Sequence, residues 1–308
     1  MSTAAQRNEK INKLYKVVKK HYQPIMPPSN RTVIEHMLYS CCLEDSTYEL
    51  ADEVFARLQE EYFDWNEVRV TTINELAEVM KRLPKADEAA NRIRRTLHGL
   101  FEAHYTFDLE FLKKENLGKA IEQLGKYKGM SPFCIAYTTQ VAFAGHSIPI
   151  DQSFIDVALV IDIVSEADAA SMKVTGLERT IPKNKGVEFA SLVHQMAVSY
   201  SSSPFNKDIR AIILEIDKEA ADRFPKRGGK KKPDVVEPSK STKKASKSKT
   251  EKVAEEPKAA AKAAPKKAAT KPVKKVEKKV AKKVPAKPAK KAPAKKAAVK
   301  KAVRRKPR

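Results

Sequence analysis

Residues 124–160 read LGKYKGMSPFCIAYTTQVAFAGHSIPIDQSFIDVALV. The pattern predicts a helix ending near Gly125, a tight turn containing Gly129, and a second helix of mostly small residues from Pro132 to Ala144. An irregular link over 145–149 follows, and Asp151 opens a further helix. A turn whose backbone amides lie at a helix N-terminus is a ready site for a phosphate, and a carboxylate opening the next helix can sit beside it.

Outward from this stretch the chain continues as helices. Ile11, Leu14, Tyr15 and Val18 recur at helical spacing, as do Tyr48, Ala51, Val54, Phe55 and Leu58. Thr72 followed by Glu75 is a capping box ahead of Leu76, Val79 and Met80, and Ile93, Leu97, Leu100 and Phe101 form another apolar stripe. Further helices are predicted over 109–124, 154–164, 187–200 and 207–224. Strand signals are almost absent, so the expected body is all-α, two-lobed, and built of about ten helices.

The charge is divided unevenly. The chain of 308 residues carries a net +23, yet residues 226–308 hold 33 basic and 6 acidic residues, which leaves the first 225 with a net of −4. No aromatic residue follows Phe224, and the remainder is nearly all Lys, Ala, Pro, Val, Ser and Thr. Such a segment cannot bury enough apolar surface to offset its ordering entropy, so two regions are expected: a folded body over 1–225 and a disordered Lys/Ala/Pro-rich tail over 226–308. In composition the tail resembles the C-terminal domain of linker histones and of histone-like bacterial proteins. Its cation density suits duplex phosphates: about 8 contacts make affinity fall by roughly three to five decades between 50 and 200 mM salt. It supplies attraction without base readout.

Three cysteines, Cys41, Cys42 and Cys134, show no metal-ligand spacing and no disulfide framework, which points to a reducing compartment. No run approaches the roughly 18 to 20 apolar residues of a membrane span. The expectation is an intracellular, DNA-associated protein with no metal, no cofactor and no membrane.

At the quoted stretch the sequence resembles the helix-hairpin-helix DNA glycosylases of the endonuclease III and MutY type. Tyr127-Lys128-Gly129-Met130-Ser131 falls on that family's Leu-Pro-Gly-Val-Gly hairpin, and Ile150-Asp151-Gln152-Ser153 on its Val-Asp-Thr-His-like motif, with no gap between. The resemblance extends over about 31–208: residues 31–51, with Ser40 and Asp45 in register, are similar to the first core helix, and 86–100 to the helix before the hairpin.

The resemblance implies that Asp151 is the catalytic aspartate, which stabilises developing positive charge on the sugar or activates water. Lys126, Lys128, Gly129, Met130, Ser131 and Phe133 are implied at the DNA, with Cys42 and Gln152 as candidates for the base pocket. Three departures qualify it. Phe133 stands where bifunctional members carry the Schiff-base lysine, so lyase chemistry by that route is excluded. Ser131 replaces the second hairpin glycine, and Pro132 removes an amide, so phosphate binding by the hairpin is weakened. The four-cysteine cluster loop is absent.

Plainer roles stand beside these. Asp151 can simply cap its helix, Met130 and Phe133 can be hairpin packing, and Cys41 and Cys42 core atoms. His36, His98, His104, His146 and His194 read as surface or satisfied core residues. The expected partner is double-stranded DNA, engaged by a monomer without a small-molecule substrate. Two functions remain open: a monofunctional glycosylase for base excision repair, using Asp151 and water and tethered by its tail, and a non-catalytic nucleoid or chromatin protein. The deficit of positive charge on the body is at odds with autonomous duplex binding, unless Lys126, Lys128, Arg92, Arg94 and Arg95 gather around the hairpin.

Overall fold

A computed structural model describes residues 3–226. The helices are α1 (Ala4–His21), α2 (Val33–Leu43), α3 (Tyr48–Glu61), α4 (Trp65–Val70), α5 (Ile73–Val79), α6 (Ala86–His104), α7 (Leu117–Lys126), α8 (Pro132–Val141), α9 (Gln152–Val160), α10 (Glu166–Ala170), α11 (Leu177–Thr180), α12 (Lys183–Ser202), α13 (Lys207–Ile216) and α14 (Ala220–Arg223). No strand occurs among the described residues, so the all-α expectation holds. The disordered tail expected over 226–308 lies outside the described residues, save for Lys226.

Local chemistry explains most helix starts. Thr3, Thr32 and Thr72 each close a capping box, with Gln6, Glu35 and Glu75 reaching back to the cap amide. Four expected helices are shorter than the apolar pattern implied. The stretch 31–51 is two helices, broken where Asp45 takes the left-handed conformation at φ 57° and Thr47 caps α3. Asp162, at φ 54°, ends α9 before Ile163 and Val164, and Asp217 separates α13 from α14. Asn116 starts α7 after a 3₁₀ turn over Glu110–Lys114, where one long helix was expected.

Two apolar cores result, matching the two lobes. One gathers the inner faces of α2 to α8, with α2 buried along nearly its whole length. The other is built on α12, against which α1, α9 and α13 pack. The chain therefore opens in the second lobe, completes the first with α2 to α8, and returns to the second with α9. Asp151 lies at that return, where α8, α9 and α12 converge.

Candidate active site and nucleic-acid interface

The hairpin runs from α7 through Tyr127–Ser131 into α8. Met130 N–H donates to the Tyr127 carbonyl at 2.9 Å, closing the turn. Gly129 is required by contact: a Cβ there would stand 2.1 Å from the Arg92 carbonyl oxygen and 2.2 Å from Thr96 Oγ1, so the turn lies directly on the backbone of α6. Its φ is not positive, so close approach and not backbone handedness selects glycine. Met130 and Phe133 are buried, while Lys126 and Lys128 are exposed.

Ser131 caps α8, its Oγ accepting from Cys134 N–H at 3.1 Å and donating to Glu44 Oε2 at 2.6 Å. Glu44 is also paired with Arg92, which reaches Glu88 at 3.3 Å. Burial raises the Glu44 carboxyl, against the pull of Arg92 and Ser131.

Asp151 is the N-cap of α9, its Oδ1 accepting from Phe154 N–H at 2.8 Å. It is 1% exposed. The Oδ2 atom has no aligned hydrogen-bond donor, but His194 Nδ1, on α12, stands 3.1 Å away at ion-pair distance. On the far side of the ring, Nε2 lies 2.8 Å from the Ser46 carbonyl, which can only accept, so Nε2 carries hydrogen. A second hydrogen, on Nδ1, would face the carboxylate across that 3.1 Å. Burial alone would push the Asp151 carboxyl up and the His194 ring down. Their mutual contact outweighs it in both directions, lowering Asp151 and raising His194.

Aromatic rings close the pair in. Phe133 lies over the His194 ring at 5.8 Å between centroids, Tyr48 meets it edge-on at 5.3 Å, and Phe133 stacks on Tyr137 at 6.3 Å. The space beside Asp151, between Ile148, Pro149, Phe189 and Val193, is about 10 Å³. That admits one water at most.

The link between α2 and α3 holds this arrangement together. Besides Glu44 on α8 and the Ser46 carbonyl on α12, Asp45 Oδ1 accepts from both the amide and the hydroxyl of Ser153 at 3.1 Å, and its Oδ2 accepts from Lys85 at 2.7 Å. Three consecutive residues, Glu44 to Ser46, thus tie α8, α9 and α12 together.

The residues named from the sequence divide accordingly. Asp151 and Phe133 meet around His194, and Lys126 and Lys128 flank the hairpin. Cys42 is buried among core side chains with its thiol pushed up by burial, and Cys41 and Cys134 bring their sulfurs to 3.8 Å. Gln152 points away, donating to Asp156 Oδ1 at 2.8 Å on the exposed side of α9. Neither base-pocket candidate therefore faces an open cavity beside Asp151. Of the five basic residues, Arg95, Lys126 and Lys128 line one groove of about 490 Å³ between α6 and the hairpin, whereas Arg92 turns to Glu44 and the Nε of Arg94 is buried. His194 is the residue that sequence reasoning missed. The sequence reads it, with the other histidines, as a surface or satisfied core residue; its position is the buried one, but nothing local to it indicates Asp151 as the partner.

No family model matches the sequence, and no curated protein matches it. Solved structures do. Endonuclease III trapped as a covalent intermediate with DNA is 16% identical over 73% of this chain and 100% of its own, with a TM-score of 0.51. A non-covalent endonuclease III–DNA complex (16% identical, 72% of this chain and 99% of that, TM-score 0.48) and the 3-methyladenine DNA glycosylase of H. pylori bound to 1,N6-ethenoadenine (14%, 64% and 99%, 0.44) are also similar. At these identities the likeness speaks for architecture, and the body of this protein has the helix-hairpin-helix DNA glycosylase fold.

Proposed function

We propose that this protein binds duplex DNA through a glycosylase-fold body that releases no base, with the Lys-rich segment 226–308 supplying the long-range attraction. DNA as partner is supported by the fold, whose solved examples include DNA complexes. The observation that carries the non-catalytic part is the closure of Asp151. A carboxylate that is 1% exposed, facing the His194 ring nitrogen 3.1 Å away and beside only about 10 Å³ of space, has no room for an extruded nucleotide. Its negative charge is already spent on His194 and is not aimed at a sugar. Phe133 at the lysine position adds that no Schiff base can form there.

Monofunctional base release by Asp151 is the competing mechanism, and one observation favours it: the aspartate opens α9 one helix after the hairpin, as in the resemblance. It requires His194 to leave and Phe133 to move aside together. The test is equilibrium binding of the full chain, its Asp151→Asn variant and a chain ending at residue 225 to duplexes with and without an abasic-site analogue. The expected result is a lesion preference within about threefold, unchanged by Asp151→Asn, with affinity and salt slope reduced by removal of the tail. A strong lesion preference that depends on Asp151 contradicts the reading.

A further inference from the structure

Two features of the hairpin face point in opposite directions for an anion. At the N-terminus of α8, where a phosphate would gain most from amides and dipole, the donors are few. Pro132 has none, Cys134 N–H is taken by Ser131 Oγ, and the Glu44 carboxylate already lies 2.6 Å from that hydroxyl. A phosphate placed there meets the Glu44 carboxylate, which already holds Ser131 and Arg92.

On the other side of the turn, against α6, the groove of about 490 Å³ is lined by Arg95, Lys126 and Lys128, with His98 and Tyr127 in its walls and Glu102 the only acid lining it. Arg95 and Lys128 are exposed and form no ion pair among the described residues. Lys126 shares a 3.1 Å pair with Glu122 in which both side chains are more than 60% exposed, so the contact is weak and exchangeable. Gly129 seats the turn on α6, which fixes the two sides of the groove relative to each other.

From these we infer that backbone phosphates of DNA dock in the groove between α6 and the hairpin, on Arg95, Lys126 and Lys128, and not at the N-terminus of α8, whose anion position the chain fills with its own Glu44. The inference rests on the DNA-binding reading above and names the contact surface within it. The partner chemistry is a row of singly charged phosphodiesters, since three flexible or forked cations spread along an open groove suit spaced charges better than one compact anion.

The experiment uses the full chain with a plain 20-base-pair duplex. Amine acylation, read by mass spectrometry at each lysine, is compared with and without DNA at low salt. Lys126 and Lys128 are expected to be protected at least severalfold, while Lys207 and Lys218, exposed in the other lobe, keep their reactivity. In parallel, Arg95→Glu with Lys128→Glu is expected to make the slope of log affinity against log salt shallower by about 2, because each lost phosphate contact removes about 1. Binding without protection of Lys126 and Lys128, or with an unchanged slope in the double variant, overturns the groove and leaves the DNA-binding reading intact. Failure of the full chain to bind the duplex overturns both.

Discussion

His194 Nδ1 stands 3.1 Å from Asp151 Oδ2, the ring 7% and the carboxylate 1% exposed, with the Ser46 carbonyl 2.8 Å from the opposite ring nitrogen. A buried histidine–carboxylate pair joins α9 to α12 at the position where the sequence resemblance implies a catalytic aspartate.

Breaking the pair from the cationic side leaves a carboxylate stranded in the core. His194→Gln is therefore expected to cost about 3–5 kcal/mol, a fall in Tm of the order of 10 °C. Asp151→Asn costs less, since the freed ring can shed its proton, and the double variant costs less than the sum of the singles. Thermal unfolding of the four proteins checks this. Equal and additive losses would show that the two side chains do not act as a pair.

The pair also sets a pH dependence with a definite sign. His194 is raised above its ordinary 6.5, so its contribution is complete below that pH and is lost as pH rises through the folded value. Asp151 is lowered below 3.8, so its contribution is present above 3.8 and is lost only on further acidification. The stability advantage of the native protein over Asp151→Asn is thus largest between these values and declines toward alkaline pH. His36 acts on the acid side: burial, then Arg31 and Lys113, lower it to about 4, so stability falls as pH drops from 6.5 toward 4. Unfolding midpoints from pH 4 to 9 test both signs, and a difference between native and Asp151→Asn that grows above pH 7 contradicts the assignment.

Gly129→Ala asks a methyl group to occupy space 2.1 Å from the Arg92 carbonyl oxygen. Backbone cannot yield as a flexible side chain does, so the loss is expected to reach about 3 kcal/mol or more, with the hairpin lifted off α6. Urea unfolding measures it. A loss under about 1 kcal/mol would mean that the turn is not seated as described.

Phe133 separates this site from lyase chemistry. Borohydride treatment with an abasic duplex is expected to trap no covalent adduct, because among the described residues no lysine lines the space beside Asp151. Phe133→Lys is not expected to restore the chemistry: it sets an ammonium against the His194 ring in a buried space and is expected to destabilise by several kcal/mol. Adduct formation by the native protein contradicts this.

What the sequence disclosed follows the range of each interaction. The hairpin, the aspartate that opens α9 and the Thr72–Glu75 capping box are encoded within a few residues, and all three are found where local pattern placed them. The breaks at Asp45 and Asp162 were hidden because each is a non-glycine residue in the left-handed region, held there by tertiary contacts that propensity does not register. His194 lies 43 residues from Asp151 and Glu44 lies 87 from Ser131, so neither partnership leaves a local trace. Those two contacts change the meaning of the motif. Residues implied at a reacting centre and a phosphate site find partners inside the protein, the aspartate in a histidine and the hairpin end in a glutamate.

Single-turnover base release decides whether Asp151 acts on DNA. The full chain and its Asp151→Asn variant are incubated with duplexes carrying oxidised, alkylated, deaminated and mismatched bases, and alkali then cleaves any abasic product. No release above the Asp151→Asn background is expected on any substrate, from protein that binds every duplex. Release by the native chain that disappears in Asp151→Asn would contradict it, and would mean that the His194 pair opens to admit a nucleotide.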